Sequence, residues 1–345
     1  MGIVLQTMTN ELTHVFLLSV GAFLLAMFLT PIYTFFAYRY RFWKRQRSES
    51  TDGKKLEVFA KFQAAKLRRN IPTMAGVIGV ISIFVVTIFF NLDRAQTWLP
   101  LAALVGGGIV GLIDDIINLR GLGGGAAGLR SPVKFALITL IGVVLGWFFF
   151  AKLGVASFHV PFVGEVNIGW LIVPLFAFAV VATGNAVNIS DGMDGLAGGL
   201  LGISFGAFGV IALLQQHVIL AGFCFTVVGV LLSYLWFNIY PARFFMGDVG
   251  SFAYGACLGV VAMLTDSLLL LPVIGLLFVI EAGSSLTQIV SKKLFKRKIF
   301  LSAPIHHHLE AIGWPETKVT MRFWVIGCVM AFIGVMLALA GGHIA

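Results

Sequence analysis

The sequence predicts an all-α polytopic membrane protein of about ten transmembrane helices, with both termini outside and one small outer β-hairpin. Three observations carry that prediction. Of 345 residues, 59% are hydrophobic and only 11% charged, and the mean hydropathy is +0.97, whereas soluble domains carry roughly a quarter of their residues as Asp, Glu, Lys or Arg. The apolar residues fall in runs of about 20, the length a helix needs to cross the hydrocarbon. The 24 Lys and Arg are split between alternate loops as 22 and 2, a strong positive-inside signal. These features exclude a soluble globular enzyme, a disordered chain and a disulfide-stapled module. The net charge of +9 reports orientation rather than nucleic-acid binding.

In chain order the predicted spans are 14–37, 73–90, 98–113, 133–151, 170–188, 196–214, 218–237, 251–265, 268–290 and 321–341. The start, Met1–Glu11, has no basic stretch of the kind that opens a cleavable signal. With the N-terminus outside, the inward segments are 38–72, 114–132, 189–195, 238–250 and 291–320, and the outward loops hold only Arg94 and Lys152 among the cations. No gap is long enough for a separate soluble domain, so residues 1–345 read as one integral-membrane domain. The outward stretch 157–168 is short, β-branched and aromatic with Gly164 placed as a turn, which predicts a hairpin. Cys224, Cys257 and Cys328 lie in apolar runs without metal-ligand spacing and read as small core residues.

Only 15 residues are acidic, so their placement is informative. Asp114, Asp115, Asp191, Asp194 and Asp248 stand at the inner ends of three apolar segments, each beside glycines. Adjacent carboxylates such as Asp114 and Asp115 are costly to desolvate at the hydrocarbon edge unless a cation neutralises them. Asp191 and Asp194, in Asn188-Ile189-Ser190-Asp191-Gly192-Met193-Asp194-Gly195, share one face if that stretch is helical. Asp248, in Phe245-Met246-Gly247-Asp248-Val249-Gly250, reads as a helix cap or as a metal ligand. Any one of these aspartates is an ordinary helix end. Five on one membrane face, among 22 cations, point to a site that handles Mg²⁺ together with phosphate. Lys134, at the start of the fourth span, is a candidate phosphate contact or an ordinary interfacial lysine.

Two further features stand apart. His306-His307-His308 cannot all point one way, so a tridentate zinc site is disfavoured against hydrogen bonds to phosphate or sugar, or a structural turn. Glu281 lies within the ninth span, where an ionisable residue is functional by default; a paired carboxylate and a helix break are both open.

At these residues a resemblance appears. Asn185–Ala197 and Trp236–Ser251 resemble two signatures of the polyprenyl-phosphate N-acetylhexosamine-1-phosphate transferases. Ala303–Glu310, with Gly313-Trp314 and Arg322-Phe323-Trp324, is similar to the bacterial branch that uses UDP-MurNAc-pentapeptide. The likeness runs in order from about Pro72 to the last span. It implies a ten-helix enzyme of the bacterial plasma (inner) membrane, often a homodimer, with a cytoplasmic site. Such an enzyme moves phospho-MurNAc-pentapeptide to undecaprenyl phosphate with Mg²⁺, giving lipid I and UMP. By the same resemblance Asp248 matches the Mg²⁺ ligand, and Asp114 and Asp115 the pair that orients or deprotonates the lipid phosphate. Asn188, Asp191, Asp194 and Asn238 match nucleotide and catalytic-centre positions, Phe245 an aromatic that stacks on uracil, Lys134 a site lysine, and His306, His307 and His308 the pyrophosphate or sugar side.

The chain departs from the pattern in places. Asn70-Ile71-Pro72-Thr73-Met74-Ala75-Gly76 stands where the family has Gly-Thr-Pro-Thr-Met-Gly-Gly, and Lys66, Arg68 and Arg69 compete for the role of a preceding lysine. Asn118 stands where a basic residue is usual, with Arg120 the nearest cation, Ile138 replaces a glutamine, and Gly121–Gly128 is unusually rich in glycine. The chemistry favours direct attack by the lipid phosphate over a covalent aspartyl-phosphate. A UDP-GlcNAc-using transferase, a transporter with a midplane Glu281 and a lipid-binding scaffold built on the basic loop 38–72 are the competing readings; that loop also suits membrane lipids.

Overall fold

Hydrocarbon offers backbone amides no partner, so apolar runs fold as helices. The computed structural model describes residues 2–43, 70–121 and 128–342. In order these form α1 (Gly2–Arg39), α2 (Gly76–Phe90), α3 (Trp98–Arg120), α4 (Ser131–Leu153), β1 (Ser157–Val160), β2 (Gly164–Asn167), α5 (Ile172–Ser190), α6 (Leu196–Leu214) and α7 (Val218–Asn238). Then come α8 (Gly247–Leu264), α9 (Leu276–Leu294), α10 (Ile305–Ala311) and α11 (Glu316–Ala340). Lys66, Arg68, Arg69 and most of segment 38–72 lie outside the described residues, as do 122–127.

The protein is a multi-pass membrane protein. Among the described residues eight helices are long and apolar enough to cross a membrane, and a bent pair makes a ninth. The remaining predicted span, 73–90, is the 15-residue α2, about 22 Å long at 1.5 Å per residue. It starts at Gly76 because the amides of Ala75 and Gly76 donate to the Phe245 and Met246 carbonyls, which holds 73–75 out of the helix. The ninth span is not one rod: Leu268–Ile274 and Leu276–Leu294 meet at 81°. The break falls at Gly275, upstream of Glu281.

α8 sits at the centre and is buried almost throughout. One face packs Tyr254, Cys257, Leu258 and Val261 into a core with Phe205, Phe208, Phe223 and Leu104. The other packs Phe252, Ala256 and Val260 with Ile138, Phe149 and Phe176. Backbones approach this closely only where side chains are absent. A Cβ at Gly111 of α3 would lie 2.1 Å from the Asp248 carbonyl oxygen, and one at Gly107 2.6 Å from that of Phe252. On the far side, Gly259 meets Ala179 of α5 in the same way, at 2.8 Å. Cys224 and Cys257 are buried as expected, but Cys328 is exposed on α11.

The loops segregate to two ends. At one, β1 and β2 pair antiparallel with Ser157 opposite Asn167 and Val160 opposite Gly164. Asp266 accepts from the His159 amide at 2.9 Å, and the His159 ring donates to the Gly341 carbonyl at 2.8 Å, tying the hairpin to the ends of α8 and α11. Burial, with the Glu165 carboxylate adding to it, pushes Asp266 up to about 6 against the opposing pull of the His159 amide. At the other end the described parts of the five segments predicted to share a face meet one another. Phe245 donates to Pro72, Val249 to Asp115, Ala242 to Asp194 and Asp194 to Glu316.

Candidate active site

The expectation that Asp114 and Asp115 follow the end of their span is corrected by the structure. α3 continues to Arg120 and stops at Gly121, in the left-handed region at φ 68°, so the pair lies within the helix, about one and a half turns from its end. The glycine seam then carries them against the first turn of α8. Asp114, Asp115 and Asp248 each offer a carboxylate oxygen within 4.8 Å of the others, and all three residues are buried, Asp115 completely. Asp248 is not an N-cap but stands in the first turn of α8, where the helix dipole favours its charge.

Lys134 crosses this cluster. Its Nζ lies 2.7 Å from Asp248 Oδ2 and 3.0 Å from Asp114 Oδ2, and 5.2 Å above the Phe252 ring. Two further oxygens are aimed by backbone: Leu129 N donates to Asp114 Oδ1 at 2.6 Å and Val249 N to Asp115 Oδ2 at 3.1 Å. Lys134 neutralises one charge of three. Three buried carboxylates converging from two helices form an all-oxygen donor set, which fits a hard divalent cation that keeps part of its water shell.

Asn188, Asp191 and Asp194 divide in role. Asn188, in the last turn of α5, donates to Ser251 Oγ at 2.8 Å, and Ser251 donates to the Asp248 carbonyl, so it braces the α8 turn. α5 ends at Ser190. Asp191 and Asp194 therefore occupy a non-helical turn and do not share a helical face, against the expectation from their spacing. Asp191 stays half-exposed. Asp194 is buried: its carboxylate accepts from Ala242 N at 3.0 Å, its amide donates to Glu316 at 2.7 Å, and its carbonyl accepts from Thr320. Asn238 bridges the same turn, accepting from Gly195 N at 2.9 Å and donating to the Phe244 carbonyl at 2.8 Å. Both are brackets that hold the Asp191 turn to the Phe245 loop. Phe244 packs inward against Tyr33, Tyr234 and Phe237, and Phe245 is left half-exposed.

The three histidines sit on α10, a helix that sequence reasoning left as loop. They diverge as their succession requires. His306 is fully buried with Nδ1 2.7 Å from Glu281 Oε2, His307 pairs with Glu310 at 2.7 Å, and His308 accepts from Leu301 N at 3.2 Å. A Cβ at Gly192 would lie 2.5 Å from His306 Nε2 and 3.5 Å from His307 Nε2. The glycine thus lets both rings lie against the Asp191 turn.

Sequence reasoning missed what holds α10 there. Glu281, Ser284, Gln288 and Ser291 are all buried on α9. Ile305 N donates to Ser284, Ile299 N and Phe300 N to Gln288, Gln288 to the Phe300 carbonyl, and Ser291 to the Arg297 carbonyl. The spacing 281, 284, 288, 291 is one helical face, a signal available in the sequence. It also answers the transporter reading, because Glu281 is spent on His306 rather than lining a midplane cavity.

Comparison with known proteins agrees with this arrangement. Residues 97–266, which carry the aspartates, Lys134 and both signatures, match the model of glycosyl transferase family 4. Proteins named phospho-N-acetylmuramoyl-pentapeptide-transferase align almost end to end. That of Chloroflexus aggregans is 38% identical over 99% of this chain and 94% of its own. Those of Geobacillus thermodenitrificans and Oceanobacillus iheyensis are both 35% identical, over 91% and 94% of this chain and 94% and 98% of theirs. The chain belongs to the phospho-N-acetylmuramoyl-pentapeptide-transferase family.

Membership gives the Glu281–His306 pair a consequence. Glu281→Leu is expected to cost about 1–3 kcal/mol of stability by stranding the buried imidazole Nδ1, and to lower turnover through α10. Glu281→Gln, which keeps an acceptor oxygen, should recover most of both. Thermal unfolding with parallel rate measurement checks it; equal behaviour of the two variants would remove the positioning role.

Proposed function

We propose that this protein is a Mg²⁺-dependent phosphoglycosyl transferase that moves phospho-MurNAc-pentapeptide from UDP-MurNAc-pentapeptide to undecaprenyl phosphate, releasing UMP and forming lipid I. The reading is carried by the buried Asp114–Asp115–Asp248–Lys134 cluster in a chain that aligns over 99% of its length with a protein of that name. The site belongs on the cytoplasmic side of the bacterial inner membrane, where the positive-inside rule puts the segments that surround it. The working unit is taken to be a homodimer.

In the proposed reaction an oxygen of the lipid phosphate attacks the β-phosphorus of the donor. The bond from that phosphorus to the bridging oxygen breaks, and UMP leaves with the electron pair. Asp248, with Asp114 and Asp115 beside it, would hold the Mg²⁺, whose bound form supplies charge neutralisation at the pyrophosphate. Lys134, between Asp114 and Asp248, would offer its ammonium to a phosphate oxygen. Asp114 or Asp115 orients the acceptor and takes its proton if one remains. Half-exposed Phe245 is assigned to the uracil face and Asp191 to the nucleotide side. Asp194 and Asn238 hold these two in place, and Asn188 braces the α8 turn that carries Asp248. Of the histidines, His307 and His308 are accessible to the sugar-phosphate side, while His306 acts from behind the Gly192 turn.

The test uses purified protein with undecaprenyl phosphate, Mg²⁺ and either UDP-MurNAc-pentapeptide or UDP-GlcNAc, reading UMP. Release with the first donor alone is expected. Release with UDP-GlcNAc alone would move the assignment to that branch of the chemistry, and release with neither would overturn the enzyme reading.

A further inference from the structure

The last three turns of α1 carry a feature the transfer chemistry does not use. A groove of about 950 Å³ is lined by Pro31, Thr34, Phe35, Tyr38 and Arg39 and flanked by Arg243 from the α7–α8 loop. The α1 residues are one face at helical spacing. Phe35 and Tyr38 are more than half exposed, as suits a wall turned to acyl chains. The groove lies at the end of the bundle that holds the aspartates, since Phe42, just beyond α1, binds Thr73, and Pro72 binds Phe245.

The charges are what single it out. Lys134 is neutralised by Asp114 and Asp248. Among the described residues neither Arg39 nor Arg243 has an acidic partner; the Arg39 guanidinium lies 5.9 Å over the Phe35 ring. The Arg243 backbone is pinned, its amide donating to the Phe237 carbonyl at 2.8 Å, while the residue itself is exposed. Two guanidiniums beside hydrocarbon that no described carboxylate meets are costly unless an anion meets them, and a guanidinium fork matches phosphate oxygens. Basic pockets on transmembrane helices at this level hold anionic headgroups.

We propose that this groove is a binding site for an anionic phospholipid, its phosphodiester between Arg39 and Arg243 and an acyl chain along Pro31, Phe35 and Tyr38. An ordinary phospholipid fits better than the polyprenyl phosphate acceptor. The groove shares no lining residue with the aspartate cluster, so a lipid whose phosphate is delivered to Asp114 and Asp115 leaves both arginines unmet.

The experiment is native mass spectrometry of the full chain in detergent, wild type against R39Q/R243Q. Each is titrated with phosphatidylglycerol and with phosphatidylcholine of the same acyl chains, with and without undecaprenyl phosphate as competitor. Phosphatidylglycerol is expected to bind wild type in preference to phosphatidylcholine and to lose about thirtyfold in affinity in the double variant, where two charges near the surface are gone. Phosphatidylcholine binding and the thermal midpoint should not change. Equal affinity for the two phospholipids, undiminished phosphatidylglycerol binding in R39Q/R243Q, displacement by equimolar undecaprenyl phosphate, or a change of oligomeric mass in place of lipid loss would each overturn the proposal. The readout is independent of turnover, so it stands or falls apart from the assignment of the reaction.

Discussion

Gly111→Val is expected to abolish transfer, with a fall of at least about 10²-fold in turnover and a clear drop in thermal stability. The reason is geometric. A Cβ at this position would sit 2.1 Å from the Asp248 carbonyl oxygen and 2.5 Å from the Val249 amide nitrogen. Both are backbone atoms of the α8 first turn, so no rotamer change relieves the clash, and α3 must move away from α8. Overpacking of this kind costs about 1–3 kcal/mol or more. Here the displacement also separates Asp114 and Asp115 on α3 from Asp248 on α8, and an error of about 1 Å in a catalytic constellation is worth 10² in rate. Gly108, just under one turn earlier on the same helix, is the control. A Cβ there meets a Val80 methyl at 3.3 Å and nothing closer, so Gly108→Ala should stay within a few-fold of wild type. Equal losses at the two positions would show that the helix, not the seam, is sensitive.

That pair of glycines also marks where the sequence was legible and where it was not. Apolar runs announce helices because lipid leaves the backbone no alternative, and Lys and Arg sort the loops into two groups. Aspartates could be gathered onto one end for the same reason, since charge is scarce in this chain. What the glycines were for was not legible. Gly111 and its neighbours stood only as glycines beside an aspartate pair, yet they are the contact by which α3 reaches α8, and only the pairing of two helices distant in sequence reveals it. Asp191 and Asp194 show a different limit. Their spacing suited one helical face, but Gly192 and Gly195 permit a turn, and the Glu316 and Ala242 contacts that stabilise it come from elsewhere in the chain. The polar face of α9 was written in the sequence at positions 281, 284, 288 and 291. It stayed hidden because Glu281 alone carries charge, and a lone intramembrane acid invites a transport reading before a structural one.

Asp248→Asn is expected to remove Mg²⁺-dependent UMP release almost completely, by roughly 10³-fold if its charge acts as a preorganised electrostatic group does, while leaving a folded, extractable protein. The two halves of that expectation rest on different contacts. Folding survives because Asn keeps the size of Asp at a packed helix start, the neighbouring amide of Val249 is held by Asp115 rather than by residue 248, and Lys134 retains Asp114 at 3.0 Å. Turnover does not survive, because the carboxylate that meets Lys134 at 2.7 Å loses its charge. The cation site is then left with two charges on one helix and none from α8 to close it. A Mg²⁺ titration followed by thermal shift separates the cases. Wild type should gain stability with Mg²⁺, and the variant should gain less or none. Retained turnover in Asp248→Asn would sink the metal role of this residue even if the fold and family stand. Loss of turnover together with an unaltered Mg²⁺ shift would transfer that role to Asp114 and Asp115 and leave Asp248 as the partner that holds Lys134 in line.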